Sequence, residues 1–186
     1  MATIARKRAT YDDLLALPDH VVGEIVDGEL HASPRPALAH ARAATGIAGD
    51  LRGPFDRGRG GPGGWVILIE PEIHLGEDIV VPDIAGWRRE RMPVMPVTAF
   101  TTIPPNWLCE VLSPSTVRFD RADKLGVYAR AGVEHVWLVD PLAQLLEVLV
   151  LDGGTWRIVA THSGDATVRA VPFDAIELEL AAFWAT

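Results

Sequence analysis

The run Asn106-Trp107-Leu108-Cys109-Glu110-Val111-Leu112 places a single acidic residue inside a short apolar segment. An apolar run of this length is typical of a strand that is buried on both faces of a sheet. Keeping a carboxylate ionised there is costly unless a cation or hydrogen-bond donors meet it. The segment therefore predicts a central strand on which Glu110 has a partner for its charge, and a metal ion is one such partner.

A second acid follows another apolar run, Ile79-Val80-Val81-Pro82-Asp83. The proline interrupts the hydrogen-bond ladder and directs Asp83 to a strand edge. Two converging carboxylates repel, and Mg²⁺, or Mn²⁺ in its place, removes that penalty through oxygen ligands while keeping waters for attack. We therefore predict that Asp83 and Glu110 are the two carboxylates of a divalent-metal site of nuclease type. The alternative for Asp83 is a strand-end acid that caps a turn.

Hydrolysis at such a site also needs a cation to orient the metal-bound water or to stabilise charge on a phosphate. Lys124 is one of only two lysines in the chain, and it lies on the helix predicted after the Glu110 strand, over residues 118–131. Asp120 stands one turn before Lys124 on the same helix face, where it can pair with the amine. Tyr128 lies four residues after Lys124 and is predicted to brace that face. The alternative for Lys124 is a solvated helix face shared with neighbouring arginines.

The rest of the chain predicts helices and strands in mixed order. Thr10 caps a short helix that ends near Pro18, and Asp27-Gly28 forms the turn of an N-terminal hairpin. The remaining predictions are a helix over 37–51 that ends before Gly53-Pro54, a hairpin of 65–75 with 79–87, a connection over 88–105, a strand over 135–140, and a hairpin of 145–151 with 156–162.

Length and composition favour one domain over residues 10–184, preceded by a flexible tail over residues 1–9. The chain has 186 residues, 48% of them hydrophobic, and a formal net charge of −8. That charge argues against general attraction to phosphate, so any contact with DNA must be local. The single cysteine, Cys109, is expected in the core and fits a reducing cytoplasm. No segment has the pattern of a signal peptide or a membrane span, so we expect a soluble, cytoplasmic protein without membrane contact.

Several segments occur in an order that resembles the Uma family of putative restriction endonucleases, within the PD-(D/E)XK nuclease superfamily. They are Val81-Pro82-Asp83, the run Glu110-Val111-Leu112-Ser113-Pro114-Ser115-Thr116, Asp120 with Lys124 and Tyr128, and the run from Gly132 to Pro141. The run Glu24-Ile25-Val26-Asp27-Gly28-Glu29 and the proline followed by His40 resemble the N-terminal part of the same family.

The resemblance implies a restriction-endonuclease-like core, in which a central mixed β-sheet is flanked by α-helices, with additional N-terminal and C-terminal β-hairpins. It also implies that Asp83, Glu110 and the backbone carbonyl of Val111 hold Mg²⁺. The superfamily places its lysine two residues after the glutamate, where this chain has Leu112, so the resemblance suggests that Lys124 has taken that role. Glu24 and His40 match family positions that border the site, as an extra ligand or an acid–base group. For His40 the alternative is a packing residue.

These features together predict a Mg²⁺-dependent endonuclease that hydrolyses DNA phosphodiester bonds. Alternatives are a non-catalytic nucleic-acid- or protein-binding module of the same fold and a metal-dependent hydrolase of another phosphate ester. Basic residues in three stretches predict a local cationic rim for DNA, unless they are scattered surface charge: Arg52, Arg57 and Arg59; Arg88, Arg89 and Arg91; Arg118, Arg121, Lys124 and Arg130. A homodimer is expected, because two sites related by a twofold axis cut two strands most simply.

Overall fold

The computed structural model describes residues 8–34 and 36–184. Its α-helices are α1 (Tyr11–Leu15), α2 (Leu38–Leu51), α3 (Leu125–Arg130) and α4 (Ala181–Trp184), and π-helical turns cover Arg52–Asp56 and Phe119–Lys124. The strands are β1 (Val21–Val26), β2 (Glu29–Pro34), β3 (Trp65–Ile69), β4 (Glu72–Leu75), β5 (Asp78–Val80), β6 (Ile84–Arg88), β7 (Phe100–Thr101), β8 (Trp107–Val111), β9 (His135–Asp140), β10 (Leu145–Asp152), β11 (Thr155–Ser163), β12 (Thr167–Val168) and β13 (Leu178–Glu179).

The short helix predicted near the N-terminus is present. Thr10 caps α1 in a capping box with Asp13. Of the predicted tail, residues 1–7 lie outside the described residues, while the Ala9 amide donates to the Gly28 carbonyl at 2.9 Å. The end of that segment is therefore held against the turn of the first hairpin.

A six-stranded sheet forms the centre of the fold, in the order β11-β10-β9-β8-β6-β3. Only β8 and β9 pair in parallel in this sheet, and its other neighbours are antiparallel. All five residues of β8 are buried, as the apolar run around Glu110 predicted. The central mixed sheet is thus confirmed, with β8 as an inner strand.

The two faces of β8 belong to two halves of the core. Trp107, Cys109 and Val111 pack with α2 and the C-terminal segment on one face. Leu108 and Leu112 pack with α3 on the other face. Because side chains alternate along a strand, Glu110 shares the second face and points to the side of the sheet where α3 lies.

The second sheet has five strands in the order β2-β1-β5-β4-β7. It begins with the predicted N-terminal hairpin of β1 and β2, whose turn residues Asp27 and Gly28 have φ angles of 52° and 81°. Both angles lie in the left-handed region that a two-residue hairpin turn requires. The C-terminal pair β10 and β11 also forms a hairpin, but it extends the central sheet.

The predicted hairpin of residues 65–75 and 79–87 is confirmed in its antiparallel pairing, but it is interrupted in the middle and its two halves belong to different sheets. β3 pairs with β6 in the central sheet, while β4 pairs with β5 in the five-stranded sheet. The first break is at Glu70, where φ is 47° and Pro71 follows. The second lies at Val81-Pro82-Asp83, and the Glu70 amide joins the two breaks by donating to the Asp83 carbonyl at 3.0 Å. Asp83 therefore does not end the preceding strand; it stands directly before β6, where the sheets meet.

Two predicted helices differ from regular α-helices. The helix over 37–51 does not stop before Gly53, since a π-helical turn carries it through Gly53 and Pro54 to Asp56. Pro54 has no amide hydrogen to donate, and the wider turn is closed by the Arg57 amide, which donates to the Arg52 carbonyl five residues earlier. The helix over 118–131 likewise begins as the π-helical turn Phe119–Lys124 and becomes α-helical only in α3.

The core contains the residues that the strand pattern placed there. Trp87, Trp107, Trp137 and Cys109 are all fully buried. The connection over 88–105 also includes the short strand β7, which pairs in parallel with β4. No helix in the described part of the chain is both long enough and apolar enough to span a bilayer.

Candidate functional site

The register of β6 and β8 brings the two predicted metal ligands to the same place. Ile84 pairs with Cys109 in the antiparallel pair of β6 and β8. The next position in this register places Asp83 opposite Glu110. Residues directly opposite one another in such a pair have close Cβ atoms. In addition, the Val111 amide donates to Asp83 Oδ2 at 2.7 Å. The Asp83 carboxylate is thus held against the backbone that follows Glu110.

Lys124 lies in the interior beside these acids. Its side chain is 3% exposed, and its Nζ is 2.9 Å from Glu110 Oε1 and 2.9 Å from Glu24 Oε1. Asp120 Oδ1 is 3.8 Å from the same nitrogen. The alternative of a solvated helix face is excluded for Lys124, and Asp120 pairs with the amine as its spacing predicted.

Glu24 connects three parts of the chain. It lies on β1, and its Oε1 accepts a hydrogen bond from the Val81 amide at 2.8 Å as well as the ion pair from Lys124. The segment that carries Asp83 is therefore tied to β1 and to the π-helical turn Phe119–Lys124. The sequence placed Glu24 at the border of the site but contained no signal for its contact with Val81.

Tyr128 completes the surroundings of Glu110. Its hydroxyl donates to Glu110 Oε1, and both side chains are buried. Tyr128 lies on α3, whereas Lys124 and Asp120 lie on the π-helical turn before it. One continuous helical segment thus supplies three groups to the strand that carries Glu110, and Tyr128 braces it as predicted.

His40 joins α2 to the site. Its Nε2 lies 2.6 Å from Asp83 Oδ1, and its side chain is 12% exposed. Since the carboxylate accepts, Nε2–H is the donor in this pair. The two oxygens of Asp83 are therefore both engaged, one by the imidazole and one by the Val111 amide.

Crowding of acids around one lysine shifts several pKa values. Burial raises the pKa of Glu110 well above its usual range, Lys124 opposes this shift, and Asp120, Asp83 and Glu24 add to it. Burial also raises the pKa of Asp120 to about 6, against the opposing charge of Lys124. Burial alone would lower the pKa of Lys124, but Glu110 and Glu24 raise it well above its usual value. Lys124 therefore remains an ammonium group at neutral pH, and the acids around it favour added positive charge.

These groups open onto a cavity of about 350 Å³. Glu24, Glu110, Asp120 and Lys124 are its buried lining residues, and His40 and Asp83 are partly exposed. Other parts of the lining were not predicted as site residues, among them Ser33, Pro34, Pro36, Ser113 and Thr116. The hydroxyl of Ser113 is 2.9 Å from each of the Ser115 and Thr116 hydroxyls. The sequence did not predict that these residues line the cavity, because β2 and the loop after β8 come together only in the folded chain.

The donor set is compatible with a hard cation bound by few protein ligands. Within residues 8–34 and 36–184, no three or more histidine, cysteine, aspartate or glutamate side chains are arranged as a metal cage. Mg²⁺ is commonly held by one or two carboxylates and completed by waters and substrate phosphates. Asp83 and Glu110 supply two carboxylates, and the pKa of Glu110 is raised first by burial and then by the neighbouring acids, whose charge a cation would offset. The residues therefore fit Mg²⁺ as a two-carboxylate site.

Of the residues in the predicted cationic rim, Lys124 alone belongs to the described lining of the cavity. Several of the arginines instead pair with acids elsewhere on the surface: Arg52 and Arg89 with Asp56, Arg91 with Glu134, Arg121 with Glu147, and Arg130 with Asp27 and Asp78. Contact of these arginines with DNA remains a prediction.

Comparison with known proteins identifies relatives of this chain. The profile of the Uma2 family, described as "Putative restriction endonuclease", matches residues 9–182. A crystal structure described as a putative nuclease from Anabaena variabilis resembles this structure with a TM-score of 0.76 and 22% sequence identity, covering 95% of this chain and 98% of that chain. No curated protein matches the chain. The shared structure confirms the restriction-endonuclease-like fold, and the profile shows that the chain belongs to the Uma2 family of putative restriction endonucleases.

Proposed function

We propose that the protein is a Mg²⁺-dependent endonuclease that hydrolyses phosphodiester bonds of DNA at the cavity lined by Asp83, Glu110 and Lys124. The observation that carries the proposal is the position of Lys124, a buried ammonium 2.9 Å from the Glu110 carboxylate beside the Asp83 segment. Membership of a family described as putative restriction endonucleases supports the same reaction class. The chain thus combines two acids suited to a hard cation with one cation suited to a phosphate.

Asp83 and Glu110 would hold the metal, with the Val111 backbone carbonyl as the third protein ligand. Bound Mg²⁺ would supply Lewis-acid stabilisation of phosphate charge and a water of lowered pKa. The hydrogen bonds from His40 and the Val111 amide fix the Asp83 carboxylate in one orientation. Such preorganisation lowers the reorganisation needed when substrate arrives.

Lys124 is proposed to hold the attacking water in line with the phosphorus and to stabilise the charge that develops on the phosphate. Glu24 and Asp120 position its ammonium group from two sides. In the reaction the water oxygen bonds to phosphorus as the bond to the leaving strand oxygen breaks. His40 is the candidate acceptor for the water proton, through the ring nitrogen that does not donate to Asp83.

The test compares plasmid cleavage by the wild type with that of Asp83→Asn, Glu110→Gln and Lys124→Met, each in Mg²⁺ and in Mn²⁺. Loss of a positioned charge at the reacting centre is expected to lower the rate about 100-fold or more. Glu90→Gln is the matched control, because Glu90 is an exposed acid outside the cavity lining. Unchanged cleavage by the three site variants would contradict the assignment of the site.

The alternatives give different outcomes in the same experiment. A folded wild type that cleaves no DNA but hydrolyses another phosphate ester, with loss in the same variants, would keep the site and change the substrate. A folded wild type that cleaves neither would favour the non-catalytic binding module. A homodimer, which the fold does not by itself require, is checked by sedimentation of the same preparations.

A further inference from the structure

The proposed reacting groups differ in depth along the cavity. The side chains of Glu110 and Lys124 are each only 3% exposed, whereas those of His40 and Asp83 are 12% and 16% exposed. Among the residues that the structure describes, the exposed lining residues at the mouth are Pro34, Pro36, Ala37, Glu70, Pro114 and Ser115. A phosphate must therefore pass the mouth residues before it approaches Lys124.

The size of the cavity limits what can enter. Its volume of about 350 Å³ lies at the lower end of pockets that enclose one small ligand. The phosphates of a duplex lie on the outside of a wide cylinder, next to a paired and stacked strand. Such a strand meets only the mouth of a cavity of this volume unless a nucleotide leaves the stack.

The described residues of the mouth suit a base or a sugar. Proteins that bind duplex DNA make many contacts to phosphate through lysine and arginine. Among the described lining residues, Lys124 is the one lysine or arginine, and it lies at the buried end of the cavity. The mouth presents three prolines and an alanine, whose apolar surfaces suit a base or a sugar, together with the Glu70 carboxylate and the Ser115 hydroxyl.

We propose that this cavity receives an unpaired nucleotide, so that the substrate is single-stranded DNA or an unpaired stretch within a duplex. The inference rests on the proposed nuclease function and specifies its substrate. An unpaired nucleotide can bend into the cavity and bring its phosphate to the buried groups. A paired nucleotide must first be unstacked and unpaired, which is least costly where pairing is already absent.

The experiment uses one labelled DNA sequence in three forms: single strand, blunt duplex, and duplex with a central mismatched bubble, all with Mg²⁺. Single strand and bubble are expected to be cut at least about tenfold faster than the blunt duplex, because unpairing adds to the barrier only for the duplex. The cuts in the bubble substrate should map to its unpaired stretch. Bis(4-nitrophenyl) phosphate, a small diester with no strand to unpair, measures the phosphodiester chemistry separately.

A pair of variants tests whether the strand enters through this mouth. Ala37→Trp places a large side chain at the exposed mouth just before α2, while Ala39→Trp places it two residues later, on α2 and outside the lining of this cavity. Ala37→Trp is expected to slow cleavage of single strand about tenfold or more, since a blocked entrance keeps the phosphate from the reacting groups. Ala39→Trp should cleave single strand at the wild-type rate.

Each result decides between the two proposals. Equal or faster cutting of the blunt duplex would overturn the unpaired-nucleotide inference and leave the nuclease function standing. Hydrolysis of the small diester without cleavage of any DNA form would overturn the inference and also DNA as the substrate, while the hydrolytic site would stand. Failure of the folded wild type on every DNA form and on the small diester would overturn both, and equal single-strand rates for the two tryptophan variants would exclude entry at Ala37.

Discussion

Lys124 is an ammonium group held almost entirely out of water between carboxylates. Glu24 and Glu110 each contact its Nζ at 2.9 Å, and Asp120 is 3.8 Å away. The desolvation penalty of such groups is large, and their mutual attraction offsets it only when the partners are well placed. Removing one partner should therefore reveal how strongly the group depends on it.

Glu24→Ala removes an acid that serves both Lys124 and the Val81 amide. We expect it to lower the free energy of unfolding by about 3 kcal/mol, the usual cost of leaving a buried charge without one partner. Glu24→Gln should cost clearly less, because its amide oxygen still accepts from both donors. Urea denaturation of the three proteins measures the difference. Equal stability of Glu24→Ala and the wild type would contradict this account of the lysine.

Asp120 should make the metal-free protein less stable as the pH rises. Burial raises the pKa of Asp120 from 3.8 to about 6 in the folded protein, so folding favours its protonated form. The contribution is fully present below pH 3.8 and is lost as the pH rises through about 6. It amounts to about 3 kcal/mol, at 1.36 kcal/mol for each unit of pKa.

The measurement is the free energy of unfolding at several pH values between 4 and 7, in the presence of EDTA. Asp120→Asn, which cannot titrate, should show a smaller decline over this interval than the wild type. Glu90→Gln, at an exposed acid away from the cavity, should show the wild-type decline. An identical pH profile for Asp120→Asn and the wild type would argue against the raised pKa.

Single residues differ in how far the sequence predicted them. Glu110 was recognisable because an acid between apolar neighbours needs a partner, and the structure does surround it with Lys124 and Tyr128. The hydrogen bond between His40 and Asp83 joins residues 43 positions apart. Such a contact depends on the packing of α2 against the sheet junction, which no local pattern in the sequence encodes.

At the level of elements, the junction between the two sheets determines where Asp83 lies. The strands themselves followed from alternation and turn residues, but a continuous run over 79–87 gave no reason to divide them between sheets. The break depends on a positive φ at Glu70 and on Pro82, and its two sides are joined by the Glu70 amide and the Asp83 carbonyl. The prolines and turn residues that interrupt the strands were visible in the sequence, but the sheet that each strand joins depends on tertiary packing.

For the helical segment over 119–130, the sequence correctly predicted which side chains share a face, but it wrongly predicted a regular α-helix throughout. Asp120, Lys124 and Tyr128 follow one another at intervals of four, which predicted a common face in an α-helix. The first half is π-helical, with a wider turn, and still presents Asp120 near Lys124. Spacing of four thus identified the cluster, while the choice between α and π turns depends on the packing around it.

Close packing around β6 gives a test of the central sheet. A Cβ added to Gly86 would lie 3.1 Å from a Trp107 ring atom on β8 and 3.3 Å from a Trp65 ring atom on β3. Gly86→Ala must therefore displace tryptophans on both neighbouring strands, and we expect it to lower the free energy of unfolding by about 1–3 kcal/mol.

The matched control is Gly49→Ala near the end of α2. A Cβ added to Gly49 meets nothing within 4 Å, so alanine should stabilise the helix by up to about 1 kcal/mol through its higher helix propensity. Urea denaturation of both variants measures the difference in sign. A stabilising effect of Gly86→Ala would show that Trp65 and Trp107 can move apart without loss.

At the scale of the whole molecule, the chain is acidic and several of its acids line the candidate site. The chain carries a formal net charge of −8, and the cavity collects four buried or partly buried acids, Glu24, Asp83, Glu110 and Asp120, around one lysine. A fold that gathers acids in its interior lowers its own stability at neutral pH unless cations or protons meet them. Composition showed that the chain is acidic, whereas only the fold shows that this charge is concentrated at one cavity.

Metal binding should therefore appear as a change in stability that is independent of catalysis. We expect Mg²⁺ to raise the melting temperature of the wild type by about 8 °C at a concentration near 100 times its dissociation constant, equivalent to about 2.7 kcal/mol. The rise should be larger at pH 8 than at pH 5, because protons on Glu110, whose pKa is raised by burial, compete with the metal at the lower pH. Asp83→Asn should lose most of the rise, and Glu90→Gln should keep it. A rise of equal size in Asp83→Asn and the wild type would place the bound metal elsewhere in the molecule.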